Sequence, residues 1–277
     1  MHTIITHPGS AHKDDFLSVS VLLATLGEAR VFRREPTAAD LADPNIYVVD
    51  VGMVHDPERH NFDHHQDPTL PCAFHLVMQH LNHHEAADAM FAWYRHMSMM
   101  DVRGPHRMAR DLGIETHLLF ATSSPIDGYI LSSFAALETL DPQHFLYRFM
   151  QDLGRDMLVL IDRKRARLER LKAEARVFAV KQFKAVASEI SKTPKLAMDL
   201  FLQFLNDEQI VISITPSNRG NGWELIRLGD HPQVDFRAIR SRPEIAFVHN
   251  NGFLAKTHVR IPLPEVIPLA SQAIRDS

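Results

Sequence analysis

The chain has 277 residues, long for one domain and comfortable for two. Hydrophobic residues make up 45% and charged residues 23%, the ordinary balance of a soluble globular protein. The net charge of -4 argues against a general nucleic-acid-coating protein, although it leaves room for a local basic groove, and a single cysteine, Cys72, excludes an intrachain disulfide framework and fits a reducing compartment.

Taken in chain order, Thr3 to Thr6 reads as a strand, "HPGSAHK" as a loop, and "DDFLSVSVLLATLG" as a helix ending at Gly27. The opening residues carry no basic n-region or apolar h-region, so no signal peptide is read there. The longest strongly apolar stretch, "FLSVSVLLATL", is too short to span a bilayer. The expectation is a cytoplasmic protein with no membrane partner. "NIYVVDVG" is a short apolar run rich in β-branched residues, in the style of a strand buried on both faces. "AFHLVMQHL" and "EAADAMFAWYRHMSMM" read as helices, the second closing on Asp101. From Gln143 to Ser191 almost every residue is a helix former, and Arg155 to Lys184 holds ten Lys or Arg against four Asp or Glu. This segment reads as a helical connector with a solvated, basic face. After it, "QIVISITP", "GWELIRLG" and "EIAFVHNNGF" look like strands separated by Gly, Asn and Pro turns. The expected organisation is α/β throughout: a parallel-sheet domain over 1–145, a helical connector over 146–192 and a smaller α/β domain over 193–277.

Three clusters of acidic and histidine residues fall where strands should end. The first loop offers His7, His12, Asp14 and Asp15; Asp50 closes "YVVD"; Asp63, His64 and His65 lie in "HNFDHHQD". Each is weak alone, because 18 histidines are spread through the chain, Asp14 suits a helix N-cap and Asp50 suits a turn. Jointly they matter more, since ligands of open parallel sheets gather at the carboxyl ends of strands. Imidazoles mixed with carboxylates, without thiolates, suit Mn²⁺, Fe²⁺ or Zn²⁺ better than Ca²⁺, and several aspartates favour a two-metal site. The chain has no HExxH, no Gly-rich phosphate loop with Lys-Ser/Thr and no GxSxG elbow.

"THPGSAHKDD" and "DVGMVHDPERHNFDHHQ" together resemble the first three motifs of the DHH phosphoesterase superfamily. The string is similar to the branch named metal-dependent protein hydrolase, or melanocyte-proliferating-gene-like proteins, whose eukaryotic members act as RNA exonucleases. "LSSFAALETLDP" and "FVHNNGFLAKT" resemble later segments of that branch. The resemblance implies a Rossmann-like N-terminal domain of the DHH type, joined by a long helix to a smaller domain that grips substrate. It implies metal binding by His7, His12, Asp14, Asp50 and His64, with Asp50 bridging two ions. Asp63 would orient a ligand and His65 would face the substrate phosphate. The fourth motif departs from the usual "D-x-x-D-N-G"; order along the chain selects Asp101 in "MMDVRGP", with Asp127 in "PIDGYI" as the runner-up. In the second domain Lys256, His249, Arg240 and Arg242 are the substrate-binding candidates, the arginines for their planar forks.

Mn²⁺ is the ion the resemblance implies, two per chain, with Mg²⁺ and Zn²⁺ as alternatives. The expected function is a metal-dependent phosphodiesterase, an exonuclease on short or single-stranded RNA. Two readings stand beside it: a small-molecule phosphoesterase acting on an oligonucleotide, cyclic dinucleotide or pyrophosphate, and a metal-stabilised binding module without turnover. A homodimer is left open.

Overall fold

The computed structural model describes residues 2–120, 124–190 and 195–275. The chain divides into two compact units, Met1–Arg163 and Lys164–Ser277. Among the described residues, no helix is long and apolar enough to cross a membrane.

The first unit runs β1 (His2–Thr6), α1 (Lys13–Leu26), β2 (Ala29–Arg33), α2 (Ala38–Ala42), β3 (Ile46–Val49), β4 (His55–Asp56) and β5 (Asn61–Phe62). It continues with α3 (Ala73–His80), α4 (His84–Met90), α5 (Trp93–Leu112), α6 (Pro125–Ala135), β6 (Thr139–Leu140) and the first half of α7 (Phe145–Glu174). The strand order is β4-β5-β3-β1-β2-β6. The four inner strands β5, β3, β1 and β2 pair in parallel, and the short edges β4 and β6 pair antiparallel.

The inner strands are apolar on both faces because both faces are covered. Ile4, Tyr47 and Val49 join the main core with Phe16, Leu22, Phe74 and Phe134. Ile5 and Val48 point the other way and pack with Phe32 and Leu41. This is the period-two alternation of a strand read on two buried sides. At the crossing of α7 with α1 the backbones nearly touch: a Cβ on Gly154 would lie 2.0 Å from the Ser20 carbonyl oxygen.

Helix α5 is really two segments. Gly104 sits at φ 74°, ψ 164°, followed by Pro105, so the regular helix stops at Arg103 and restarts. Asp101 therefore lies in the last turn of the first segment, not at its closing residue.

The expected connector over 146–192 is corrected by the structure. Helix α7 ends at Glu174, and β7 (Arg176–Val180) and β8 (Phe183–Ala187) follow as an antiparallel hairpin. "RVFAVKQFKAVA" is rich in β-branched and aromatic residues, and Lys181 takes the left-handed turn at φ 52°. Partner strands override the strong helix propensity of Lys, Gln and Ala here. The division between units falls inside α7, and the boundary expected at 192/193 lies outside the described residues.

The second unit adds α8 (Lys195–Leu205), β9 (Ile210–Pro216), β10 (Trp223–Arg227), β11 (Ile245–Val248), β12 (Leu254–Thr257) and α9 (Leu263–Gln272). Its sheet order is β11-β12-β10-β9-β8-β7, with β8 and β9 parallel and the other pairs antiparallel. Helix α9 closes one core with Ile212, Leu225 and Ala255. Leu171, at the end of α7, and Met198 and Phe201 of α8 close another over Val186 and Ile210.

Candidate metal centre

From β1 the chain moves outward to β2 on one side and then crosses to β3 on the other, so the winding reverses at the β1/β3 junction. In such sheets the carboxyl ends of the strands at this junction open a crevice. His7 follows β1, Asp50 follows β3, and Asp63, His64 and His65 follow β5, so three adjacent parallel strands deliver all three motifs to one edge.

The chain turns sharply after β3. Asp50 adopts φ 59°, a left-handed conformation that Asp tolerates better than most residues, and its N–H donates to the Phe62 carbonyl at 3.0 Å. Gly52 at φ 95° has no room for a side chain, since a Cβ would meet Pro36 Cγ at 2.9 Å. The first motif runs from the loop into α1, whose first turn holds Asp14 and Asp15 where the helix dipole favours negative charge.

Donor atoms of these residues converge in three overlapping groups, each within 4.8 Å: His7, His12 and Asp50; Asp50, His64 and His65; His12, Asp14 and Asp101. Asp50 is common to the first two. His64 Nε2 lies 3.2 Å from Asp50 Oδ1 and 3.1 Å from Asp101 Oδ2. His7 Nε2 lies 3.5 Å from Asp50 Oδ2. Asp101 is thus brought into the cluster, and Asp127 is not: its carboxylate accepts from Lys13 Nζ at 2.7 Å in an exposed pair.

The site is rich in buried negative charge. Asp14, Asp15, Asp50 and Asp63 are each at most 3% exposed. Neither Asp14 oxygen has a hydrogen-bond partner, and Asp50 Oδ1, Asp15 Oδ2, His7 Nε2 and His64 Nε2 also lack one in bonding geometry. Burial, then the charges of Asp50, Asp101 and Asp15, push the Asp14 carboxyl well above the ordinary carboxylate range against the pull of His64. Burial likewise pushes Asp15 up to about 6, with His7 and the His12 N–H pulling the other way. Burial lowers the His64 imidazole, but Asp101 and Asp50 beside it win and raise it to about 10. Buried carboxylates without donors are costly unless a cation compensates them. An imidazole and carboxylate set without thiolates suits Mn²⁺, Mg²⁺ or Zn²⁺.

The histidines are presented for such a role. His7 Nδ1 donates to the Pro8 carbonyl at 2.9 Å, which turns the Nε2 edge toward the carboxylates of Asp15 and Asp50. Asp63 holds the third motif together: its Oδ1 accepts from the His64 and His65 N–H groups and lies 2.7 Å from His65 Nδ1, while Oδ2 accepts from Met53 N–H at 2.6 Å. Burial works to raise the Asp63 carboxyl, but the bonds from His65 and Met53 hold it below its ordinary value. His65 is half exposed, and its Nδ1 also lies 3.8 Å from Asp50 Oδ1.

Two residues outside the ligand set expected from the sequence belong to this architecture. Asp15 caps α1 by accepting the His12 N–H and also approaches His7 Nε2 to 3.4 Å. Arg33, at the end of β2, bonds the carbonyls of Gly9 and Ser10 in the first loop. An arginine ending an apolar strand was the available signal.

The second-unit candidates lie around β11 and β12. Lys256 Nζ is 2.7 Å from Glu224 Oε1 across the β10/β12 pair, and Arg242 is 3.0 Å from Glu244. Arg240 Nη2 reaches Asn250 Oδ1 at 3.5 Å. His249 Nδ1 accepts the Asn251 N–H at 3.1 Å, and its ring lies 4.2 Å from that of Phe253. Lys256 and Arg242 are accordingly ion-paired side chains.

Residues 3–80 match the family model of the MYG1 exonuclease family, described as an uncharacterised protein family (UPF0160). No curated protein sequence matches. Among solved structures, RecJ from Thermus thermophilus in complex with Mn²⁺ is similar at 14% identity and a TM-score of 0.32, covering 98% of this chain and 51% of that one. The chain thus spans about half the length of that RecJ. An exonuclease RecJ bound to manganese gives 14% identity and a TM-score of 0.33 over 99% and 91% of the two chains. An exopolyphosphatase-related protein from Bacteroides fragilis gives 10% and 0.27 over 98% and 91%. The likeness to the MYG1 exonuclease family model is confined to residues 3–80, the segment whose carboxylates and imidazoles, from His7 to His65, gather at one crevice.

Proposed function

We propose that this chain is a metal-dependent phosphodiesterase that uses two divalent ions, preferably Mn²⁺, to trim short or single-stranded RNA from an end. The observation that carries the reading is the overlap of donor groups at Asp50, which a carboxylate shared between two ions requires. The name of the matched family is that of an exonuclease. His7, His12 and Asp50 would hold one ion; Asp14, Asp50, His64 and Asp101 would hold the other. When bound, the ions would polarise a phosphate oxygen and supply hydroxide near neutral pH.

The chain's own groups then have distinct tasks. Asp63 fixes the His65 ring through Nδ1, leaving Nε2 to meet a substrate phosphate and offset its developing charge. His249, Lys256, Arg240 and Arg242 are the proposed substrate contacts of the second unit. Of these, His249 has its Nδ1 occupied by the Asn251 N–H.

A second reading, a small-molecule phosphoesterase, is favoured by charge. Lys256 and Arg242 are paired to glutamates and the whole chain stands at -4, a poor basis for tracking a long phosphate backbone. The Mn²⁺-loaded protein should be offered 5′-labelled RNA, a dinucleotide and pyrophosphate in parallel. A ladder from RNA that disappears in Asp50→Asn supports the first reading; turnover of the dinucleotide or pyrophosphate alone supports the second. No turnover of any of them with metal bound removes both and leaves a binding module.

A further inference from the structure

We propose that Arg33, acting through the first-motif loop and Asp15, is a positioning residue for one of the two metal groups, that of His7, His12 and Asp50. This rests on the two-metal reading above.

Arg33 is 1% exposed in its side chain, an unusual place for a guanidinium. It is held by carbonyls. Nη1 donates to Gly9 O at 3.1 Å and to Phe134 O at 3.2 Å, and Nη2 donates to Ser10 O at 3.1 Å. The guanidinium carbon also lies 4.7 Å from the centroid of the Phe134 ring. Gly9 and Ser10 belong to the short stretch between His7 and His12, so one rigid fork grips the backbone that carries both imidazoles. A lysine lacks this fork, because its donors all radiate from one nitrogen whereas the guanidinium spreads them over Nη1 and Nη2.

The second contact is with Asp15. Its Oδ1 accepts from the N–H groups of His12 at 2.7 Å and Phe16 at 2.8 Å, which fixes the loop-to-helix junction. Its Oδ2 lies 3.7 Å from Arg33 Nη2 and 3.4 Å from His7 Nε2. Arg33 thus places a buried positive charge beside Asp15 Oδ2, while Asp15 Oδ1 holds the backbone from which His12 projects. Helix α6 takes part as well. Its last turn offers Phe134 O to Arg33, which ties that end of α6 to the residue gripping the first motif. None of these Arg33 bonds reaches His64 or His65, which with Asp50 form the group expected to be spared.

The test is a Mn²⁺ titration of the full chain, read by calorimetry and by electron paramagnetic resonance of free Mn²⁺, for wild type, Arg33→Met, Arg33→Lys and Asp15→Asn. Wild type should bind two ions. Arg33→Met should weaken one of them by roughly 10–100-fold, the range for loss of an outer partner, and leave the other within a few-fold. Arg33→Lys should fall between, by keeping the charge and losing the fork. Thermal melts without metal identify a variant that fails to fold. If Arg33→Met fails, Asp15→Asn carries the decision, since it keeps the Oδ1 acceptor that caps α1. Equal weakening of both ions, or no weakening of either, overturns the proposal. Turnover measured on the same samples separates the two ideas. A wild type that binds two ions without hydrolysing any phosphate compound removes the phosphodiesterase reading and leaves this one standing. An active wild type whose Arg33→Met form binds both ions normally removes this one alone.

Discussion

His64 Nε2 lies 3.1 Å from Asp101 Oδ2, although one residue follows a short strand of the sheet and the other sits in the last turn of a broken helix. The contact decides which aspartate joins the cluster, because Asp127 is engaged with Lys13 instead. Asp101→Asn should therefore weaken Mn²⁺ binding by at least the roughly 10–100-fold that follows loss of even an outer partner. Asp127→Asn removes an exposed pair and should leave metal affinity unchanged, with a stability change of at most about 1 kcal/mol. Side-by-side calorimetric titrations check this, and the reverse order of effects would refute it.

Asp14 has two buried oxygens and no donor for either. Asp14→Asn keeps the shape and deletes the charge. In metal-free buffer at neutral pH it should melt at a higher temperature than wild type, by an amount equivalent to about 1 kcal/mol or more. With Mn²⁺ the order should invert, because the variant loses the stabilisation that metal binding confers. Paired melting curves with and without metal read both effects. A variant less stable in both conditions would show that Asp14 is held by the fold and not by a cation.

His75 is buried on α3, with Nε2 donating to the Tyr94 carbonyl at 3.0 Å and its ring stacked 3.8 Å from that of Tyr94. Burial lowers its pKa to about 4, with the Tyr94 carbonyl pulling the other way. The unfolded chain binds the proton more readily than the folded one between roughly pH 6.5 and 4. Stability from this group is full above that window and is lost as pH falls through it, by at most roughly 3 kcal/mol. Asp15, raised to about 6, acts with the opposite sign over nearly the same window, its contribution fading as pH rises. The single-group effect is thus read as a difference: His75→Gln, which keeps an N–H for Tyr94, should flatten the acid-side decline in urea unfolding between roughly pH 7 and pH 4.5. An unchanged decline would mean that His75 does not control it.

Gly154 is where α7 passes over α1, and a Cβ there would meet the Ser20 carbonyl at 2.0 Å. Gly154→Ala raises helix propensity by about 1 kcal/mol, yet overpacking at a backbone contact costs roughly 1–3 kcal/mol or more. The collision should win, giving a net loss of stability in denaturant titration; a stabilised variant would show that the two helices can part.

Much of this protein is legible in its sequence. The strands around Ile4 and Val48 announce themselves because a strand covered on both faces must be continuously apolar, and α1 because Gly27 follows its last apolar turn. The motif residues His7, His12, Asp14 and Asp50 are readable because each follows or opens an element that local pattern defines, whereas His64 and His65 follow β5, a two-residue strand too short for any pattern to announce. The hairpin over 176–187 reads as helix from local pattern, since Lys, Gln and Ala favour helix and only pairing with the neighbouring strand β9 overrides them. The choice of Asp101 over Asp127 and the gathering of Asp15 and Arg33 around the first loop depend on distances between separate elements. Local sequence governs φ, ψ and which face is apolar; it carries no measure of how far one side chain lies from another across a sheet. That measure exists only once the strands have paired and the helices have packed, and it turned a scatter of histidines and aspartates into one buried, negatively charged crevice.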